Sequence, residues 1–134
     1  MEITYELSEI EKAAKFILEN SKSKILLFYG DMGTGKTTLI KSLVATLGIQ
    51  DRVSSPTFAL VNEYSSKEIK VFHFDFYRLE DEMEAYDIGF EDYINTPAYK
   101  FIEWPEKIPN LIPENYQKID ISKKDETTRL LKLS

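Results

Sequence analysis

The chain has 134 residues, 43% hydrophobic and 30% charged, with no cysteine. That is the size of one domain with one core, and it excludes a disulfide scaffold or a zinc–thiolate site. The net charge of -6 and the pI near 4.9 disfavour tight direct binding to RNA or DNA, because such affinity comes largely from counterion release by Lys and Arg.

The first residues, MEITYELSEIEKAAKF, are acidic and amphipathic. They lack the basic start and apolar stretch of a signal peptide. No apolar run approaches the ~20 residues of a membrane span, so a cytoplasmic protein with no membrane partner is expected. Ser8 and Glu11 have the spacing of a capping box. Behind them Ile10, Ala13, Ala14, Ile17 and Leu18 share one helical face, which predicts a helix over about 9–20. Lys12, Lys15, Lys22 and Lys24 read as a solvated surface of that region. Residues 25–29, Ile-Leu-Leu-Phe-Tyr, are apolar throughout, as in a buried parallel strand. A Gly-rich turn follows. Leu39, Ile40, Leu43, Val44 and Leu47 then mark a helix that Gly48 closes.

Residues 51–57 form a loop containing Pro56. The runs 58–64 and 70–74 read as strands of an antiparallel hairpin. Residues 79–86 are acidic and helical in pattern, Gly89 breaks them, and 90–94 make a further turn of helix. Residues 99–102 form an apolar strand that ends at Glu103. Three prolines between 105 and 113 exclude a long helix there. The runs 118–121 and 129–133 read as a closing hairpin at the sheet edge. The sum is a single α/β domain over residues 1–134, with a mixed parallel/antiparallel sheet flanked by helices.

Between the apolar strand and the second helix, Gly30-Asp31-Met32-Gly33-Thr34-Gly35-Lys36-Thr37 fits G-x-x-x-x-G-K-[ST]. Glycines let the backbone curl and turn its N–H groups inward as an anion nest. The helix N-terminus adds free N–H groups and the positive end of its dipole. In such a loop Lys36 reaches the β- and γ-phosphates and the Thr37 hydroxyl ligates magnesium (Mg2+). A P-loop NTPase domain that binds a magnesium-nucleoside triphosphate is therefore expected. The glycine spacing does not fit G-x-G-x-x-G, so a Rossmann dinucleotide fold is a poor competitor.

Two carboxylates stand at strand ends, where ligand crevices of open α/β sheets lie. Asp75 closes Val-Phe-His-Phe-Asp and suits a magnesium-holding acid. Glu103 closes Tyr-Lys-Phe-Ile-Glu and suits a group that orients or deprotonates water. Thr57, in Ser-Ser-Pro-Thr-Phe, is a loop threonine of the kind that senses a γ-phosphate, although such residues are common in any loop. His73 alternates with Phe72 and Phe74, the pattern of a satisfied core histidine. Tyr77 and Trp104 suit core packing or stacking on a base or partner.

The ordered set GDMGTGKTT, SSPTFALVNEY, HFDFYRLED, DIGFEDYI and FIEWPEKI, spanning about Ser8 to Pro113, resembles the bacterial TsaE family, ATPases required for threonylcarbamoyladenosine in tRNA. The resemblance implies slow ATP hydrolysis that rises with the TsaD–TsaB threonylcarbamoyl transferase complex. It implies resetting of that complex between cycles, with tRNA engaged only through it. It places Asp31, Met32, Gly33, Thr34, Gly35, Lys36, Thr37, Thr38 and Trp104 at the nucleotide and Thr37, Asp75 and Glu103 at magnesium. Lys36, Asp75, Glu103 and Thr57 are its expected catalytic set, with Thr57 in a switch-like loop. Lys107 stands where the family often has arginine, and lysine lacks the bidentate fork. Of Arg52, Arg78 and Arg129, the reading favours Arg78 as functional because it lies beside Asp75. ATP is expected over GTP because the family uses it and no N-K-x-D signature is present. A small-molecule or nucleotide kinase is the alternative, weakened by the scarcity of arginine, and a nucleotide-sensing module without turnover is a second.

Overall fold

A strand that is apolar on both faces belongs inside a sheet covered on both sides. Ile25–Tyr29 (β2) obeys this rule in a computed structural model of the chain, which describes residues 1–56 and 60–134. β2 pairs in parallel with Tyr99–Glu103 (β5) on one side and with Gln117–Lys123 (β6) on the other. Beyond β5 lies Lys70–Asp75 (β4), also parallel, and then Val61–Ser65 (β3), antiparallel to β4. Beyond β6 lie Thr128–Leu133 (β7) and Glu2–Glu6 (β1), each antiparallel to its predecessor. The seven strands run β1-β7-β6-β2-β5-β4-β3.

Alternation along each strand divides the core into two layers. Leu26, Phe28, Phe101, Ile119 and Leu131 face helices Ile10–Asn20 (α1) and Lys36–Thr46 (α2), against Ala13, Ala14, Ile17, Leu39, Ile40 and Leu43. Leu27, Phe72, Phe74 and Ile102 face the opposite layer. There the short helices Met83–Asp87 (α3) and Phe90–Ile94 (α4) supply Ala85 and Phe90, and Ile108 joins them. Phe90 packs edge-on against Phe74 and Phe76, with ring centroids 5.1 and 5.6 Å away. Such pairs favour this geometry.

The mixed α/β sheet agrees with the sequence reading, as do the 58–64/70–74 hairpin over its described part and the helix after the Gly-rich turn. Gly48 takes φ +85, and the N–H groups of Gly48 and Ile49 close on the carbonyls of Ala45 and Val44, a Schellman ending. Four expectations are corrected. The capping box does not form: a 3-10 turn over Leu7–Glu9 puts Glu9 at the cap of α1, with no side-chain cap bond. Residues 2–6 form a strand that the reading did not assign. The third helix is only Met83–Asp87, because Leu79 is taken into a turn on Phe76. The closing hairpin is not at the edge, since β6 lies against β2 and β1 covers β7.

Candidate phosphate-loop site

The loop between β2 and α2 owes its shape to backbone freedom. Gly30, Gly33 and Gly35 take φ of +151, +84 and +101, a region costly to side chains. Gly35 caps α2 without any side-chain cap bond, so the first-turn N–H groups have no side-chain acceptor, as an anion site requires. Thr34 closes the turn: its N–H and its hydroxyl both donate to the Asp31 carbonyl, at 3.2 and 2.8 Å. The buried Arg129 of β7 braces the same residue, its Nε–H donating to the Thr34 carbonyl at 2.9 Å. Its Nη1 donates to the carbonyls of Asp125 and Thr128, at 2.9 and 3.2 Å.

The side chains of α2 and of the strand ends converge on a pocket of about 400 Å³ beside this loop. Met32, Gly33, Gly35, Lys36, Thr37, Thr38, Asp75, Glu103 and Trp104 all line it, with Ser55 and Tyr77. Asp31 and Thr34 shape the loop but are not in the pocket wall. Thr57 lies outside the described residues. Lys36 is buried; its Nζ donates to the Gly30 carbonyl and sits 3.7 Å from the centre of the Trp104 ring. Burial lowers the Lys36 pKa, while the carboxylates of Glu103, Glu106, Asp75 and Asp31 oppose the fall. Trp104 itself has φ +57 immediately before Pro105, a conformation that costs a non-glycine residue about 1–3 kcal/mol. Its ring lies 5.0 Å from that of Tyr77.

Of the two strand-end carboxylates, Glu103 is in contact with the Thr37 hydroxyl at the start of α2. Thr37 Oγ1 donates to Glu103 Oε1 at 2.9 Å and lies 3.3 Å from Ser55 Oγ. The register explains the placement: Glu103 stands opposite Phe28 of β2, two residues before the loop, and opposite Asp75 of β4. Asp75 accepts from the Tyr77 N–H at 3.0 Å. Burial raises its pKa; the Tyr77 bond opposes that rise, the Glu103 charge adds to it, and His73 and Lys36 oppose it. Asp75 and Glu103 stand side by side on adjacent strands and both line the pocket. Thr37, Asp75 and Glu103 offer hard oxygen donors, which suit magnesium, an ion that takes one or two carboxylates and completes its shell with water and phosphate. Among the described residues no larger His, Asp and Glu cluster forms a closed cage.

The loop motif is common to many proteins, but the whole chain is matched more narrowly. The family model described as threonylcarbamoyl adenosine biosynthesis protein TsaE matches residues 4–131. The chain belongs to the TsaE family. A TsaE from Haemophilus influenzae, described as a tRNA threonylcarbamoyladenosine biosynthesis protein, is 41% identical over 106 residues, 78% of this chain and 67% of that protein. The Bacillus subtilis protein of the same description is 35% identical over 105 residues, 78% of this chain and 65% of that one. The match thus spans about two thirds of the length of these TsaE relatives. The crystal structure of Bacillus subtilis YdiB superposes with a TM-score of 0.76 over 98% of this chain and 83% of its own, at 24% identity, which shows a common fold.

Within this TsaE domain His73 is the satisfied core histidine that its alternation with Phe72 and Phe74 indicated, but its partners, and the placing of Tyr64 and Arg129, had no sequence signal. His73 is fully buried and bonds Glu103 Oε2 through Nε2 at 2.7 Å. Tyr64 lies 3.2 Å from His73 Nδ1. Arg129 reaches the loop, whereas Arg78, which the sequence favoured, is exposed and lines a neighbouring cavity with Asp75 and Tyr77. The period-two pattern places such residues on a face, but only the register says whom they meet.

Proposed function

We propose that this chain binds magnesium-ATP at the phosphate loop and hydrolyses it slowly, in support of threonylcarbamoyladenosine formation in tRNA. The observation that carries the reading is the Thr37–Glu103 hydrogen bond inside a pocket walled by the loop, Lys36 and Asp75. Loop N–H groups and Lys36 would hold the phosphates and the charge that builds on them as water attacks in line. Thr37, Asp75 and Glu103 would hold magnesium, which supplies further neutralisation of phosphate charge. Glu103 would also orient the attacking water. Its carboxylate has lone pairs left beyond the Thr37 contact. Thr57 belongs to the proposed set as a γ-phosphate sensor.

Among the described residues no arginine lines the pocket, which supports slow turnover by the chain alone, since an arginine finger is worth ~10³–10⁵ in rate. The proposed source of further catalysis is the TsaD–TsaB transferase complex, with tRNA held by that complex rather than by this acidic chain. The proposed compartment is the cytoplasm, and no helix among the described residues is long and apolar enough to cross a membrane.

The test is ATP turnover by the pure protein, alone and with TsaD–TsaB, beside nucleotide titrations. Lys36→Ala should abolish binding, and Glu103→Gln should keep binding and lose hydrolysis. Wild-type ATP affinity in the Lys36 variant would overturn the assignment of the loop. Turnover indifferent to the complex would overturn the partner reading.

A further inference from the structure

The polar contacts around Glu103 form a closed circuit. From Thr37 Oγ1 the path runs to Glu103 Oε1 at 2.9 Å, then from Oε2 to His73 Nε2 at 2.7 Å. From His73 Nδ1 it runs to the Tyr64 hydroxyl at 3.2 Å, and on to the Ser54 carbonyl, to which that hydroxyl donates at 2.7 Å. The next residue, Ser55, places its Oγ 3.3 Å from Thr37 Oγ1, where the circuit began. Asn62 of β3 gives the Ser54 carbonyl a second donor at 2.9 Å. The circuit links the phosphate-loop helix, three adjacent strands and the loop before β3.

From this geometry we infer that His73 is a positioning residue for Glu103, and that Tyr64 anchors it to the Ser54–Ser55 loop. The inference rests on the reading of Glu103 as a hydrolytic residue. His73 lies on the α1/α2 side of the sheet, where its neighbours Val71 and Phe101 are apolar core. An imidazole there carries two ring nitrogens that must each find a partner or cost stability, whereas an apolar side chain would carry none. Those nitrogens face Glu103 and Tyr64, so the ring spans the gap between carboxylate and hydroxyl. Glu103 is itself buried, and its two oxygens are fixed separately, one by Thr37 and one by His73. Losing the His73 donor frees one oxygen and lets the carboxylate turn about the remaining contact. Misplacement of a reacting group by 1 Å is enough to cost ~10²-fold in rate. The second anchor ties Glu103 to the Ser54–Ser55 loop by two routes, one through Tyr64 and His73 and one through Thr37.

The experiment compares His73→Leu, Tyr64→Phe, Glu103→Gln and the double variant His73→Leu/Glu103→Gln in the full chain. It measures kcat, KM for ATP and nucleotide affinity. His73→Leu should lower kcat about 10- to 100-fold, with nucleotide affinity within about threefold of wild type. Tyr64→Phe, which removes a single hydroxyl, should lower kcat by a smaller factor in the same direction. The double variant should be no slower than Glu103→Gln, because residues acting as one unit are not additive. An independent readout needs no turnover. His73 is the only histidine in the chain, so the downfield signal of its Nε2–H, donated to the Glu103 carboxylate, should be identifiable in the NMR spectrum of the nucleotide-free protein. It should vanish in His73→Leu and move in Glu103→Gln. Full kcat in His73→Leu, or a double variant slower than Glu103→Gln by the whole His73 factor, would overturn the inference. If His73→Leu does not fold, full kcat in Tyr64→Phe with an unmoved imidazole proton overturns it. Full kcat in Glu103→Gln is a different result: it removes the reading of Glu103 and this inference together.

Discussion

Gly30 and Gly33 both take positive φ, yet replacing them with alanine should have unequal consequences. A Cβ at Gly33 meets nothing within 4 Å, so Gly33→Ala incurs only the backbone conformation, about 1–2 kcal/mol. A Cβ at Gly30 would stand 2.8 Å from the Ile121 carbonyl and 2.9 Å from Thr34 Oγ1. The first is β6 backbone and cannot swing aside. The second is a hydroxyl already committed to the Asp31 carbonyl. Overpacking of that kind adds about 1–3 kcal/mol to a strain of about 1–3 kcal/mol, so Gly30→Ala should cost roughly 2–6 kcal/mol. A domain of this size loses ~3–4 °C in Tm per kcal/mol. Calorimetry should therefore find Gly30→Ala about 6–24 °C below wild type and Gly33→Ala about 3–8 °C below. Nucleotide titration should find both weakened. Equal Tm values for the two variants would refute the claim that β6 backbone confines the start of the loop.

Two further outcomes follow from the same region. Arg129→Met removes donors from the carbonyls of Thr34, Asp125 and Thr128. These bonds come from two charged donor nitrogens, Nε and Nη1, each worth about 1.5–3 kcal/mol, so urea unfolding should show a loss of about 3–6 kcal/mol and nucleotide titration a weaker Kd; a loss under about 1 kcal/mol would count against the brace. Lys36 gives a pH signature. Burial holds its ammonium below the ordinary 10.5, so between the folded and unfolded pKa values the unfolded chain binds more protons, and stability rises with pH in the window just below 10.5. Lys36→Met should lack that rise. The difference between the two proteins isolates it from Tyr5 and Tyr29, whose hydroxyls burial pushes above 10.0 with the opposite sign. Identical alkaline profiles would show that Lys36 pays no burial cost.

What was legible in the sequence was local. The strand, glycine turn and helix around Lys36 are contiguous, so periodicity and spacing were sufficient. The acidic strand ends Asp75 and Glu103 were found for the same reason. The fate of Ser8 was not legible, because a 3-10 turn that moves a helix start by one residue leaves the capping pattern unchanged while removing its geometry. Residues 2–6 alternate, with Ile3 and Tyr5 turned inward, but five residues are a short signal and the helical pattern behind them is stronger. The roles of His73, Tyr64 and Arg129 depend on which strands are neighbours. Tyr64 and Glu103 flank His73 only because β3 and β5 lie on either side of β4, and no spacing within one strand encodes that order. Among the arginines, chain proximity pointed to Arg78, which does share a cavity with Asp75, whereas the approach of Arg129 to the loop is set by the fold and has no mark in the sequence.

The position of β6 also bears on how the domain is made. β2, which carries the phosphate loop, has β6 as one of its two parallel neighbours, with Leu26 opposite Gln117. During synthesis the loop and its helix therefore emerge long before β2 can be enclosed, leaving one edge of the central strand unpaired until most of the chain exists. Pairing this distant in sequence slows folding and lengthens exposure of a sticky edge. A fragment ending before residue 117 would keep the entire Gly-rich loop and its helix yet lack the strand that shields β2, so the loop is contiguous in sequence but does not form an autonomous folding unit.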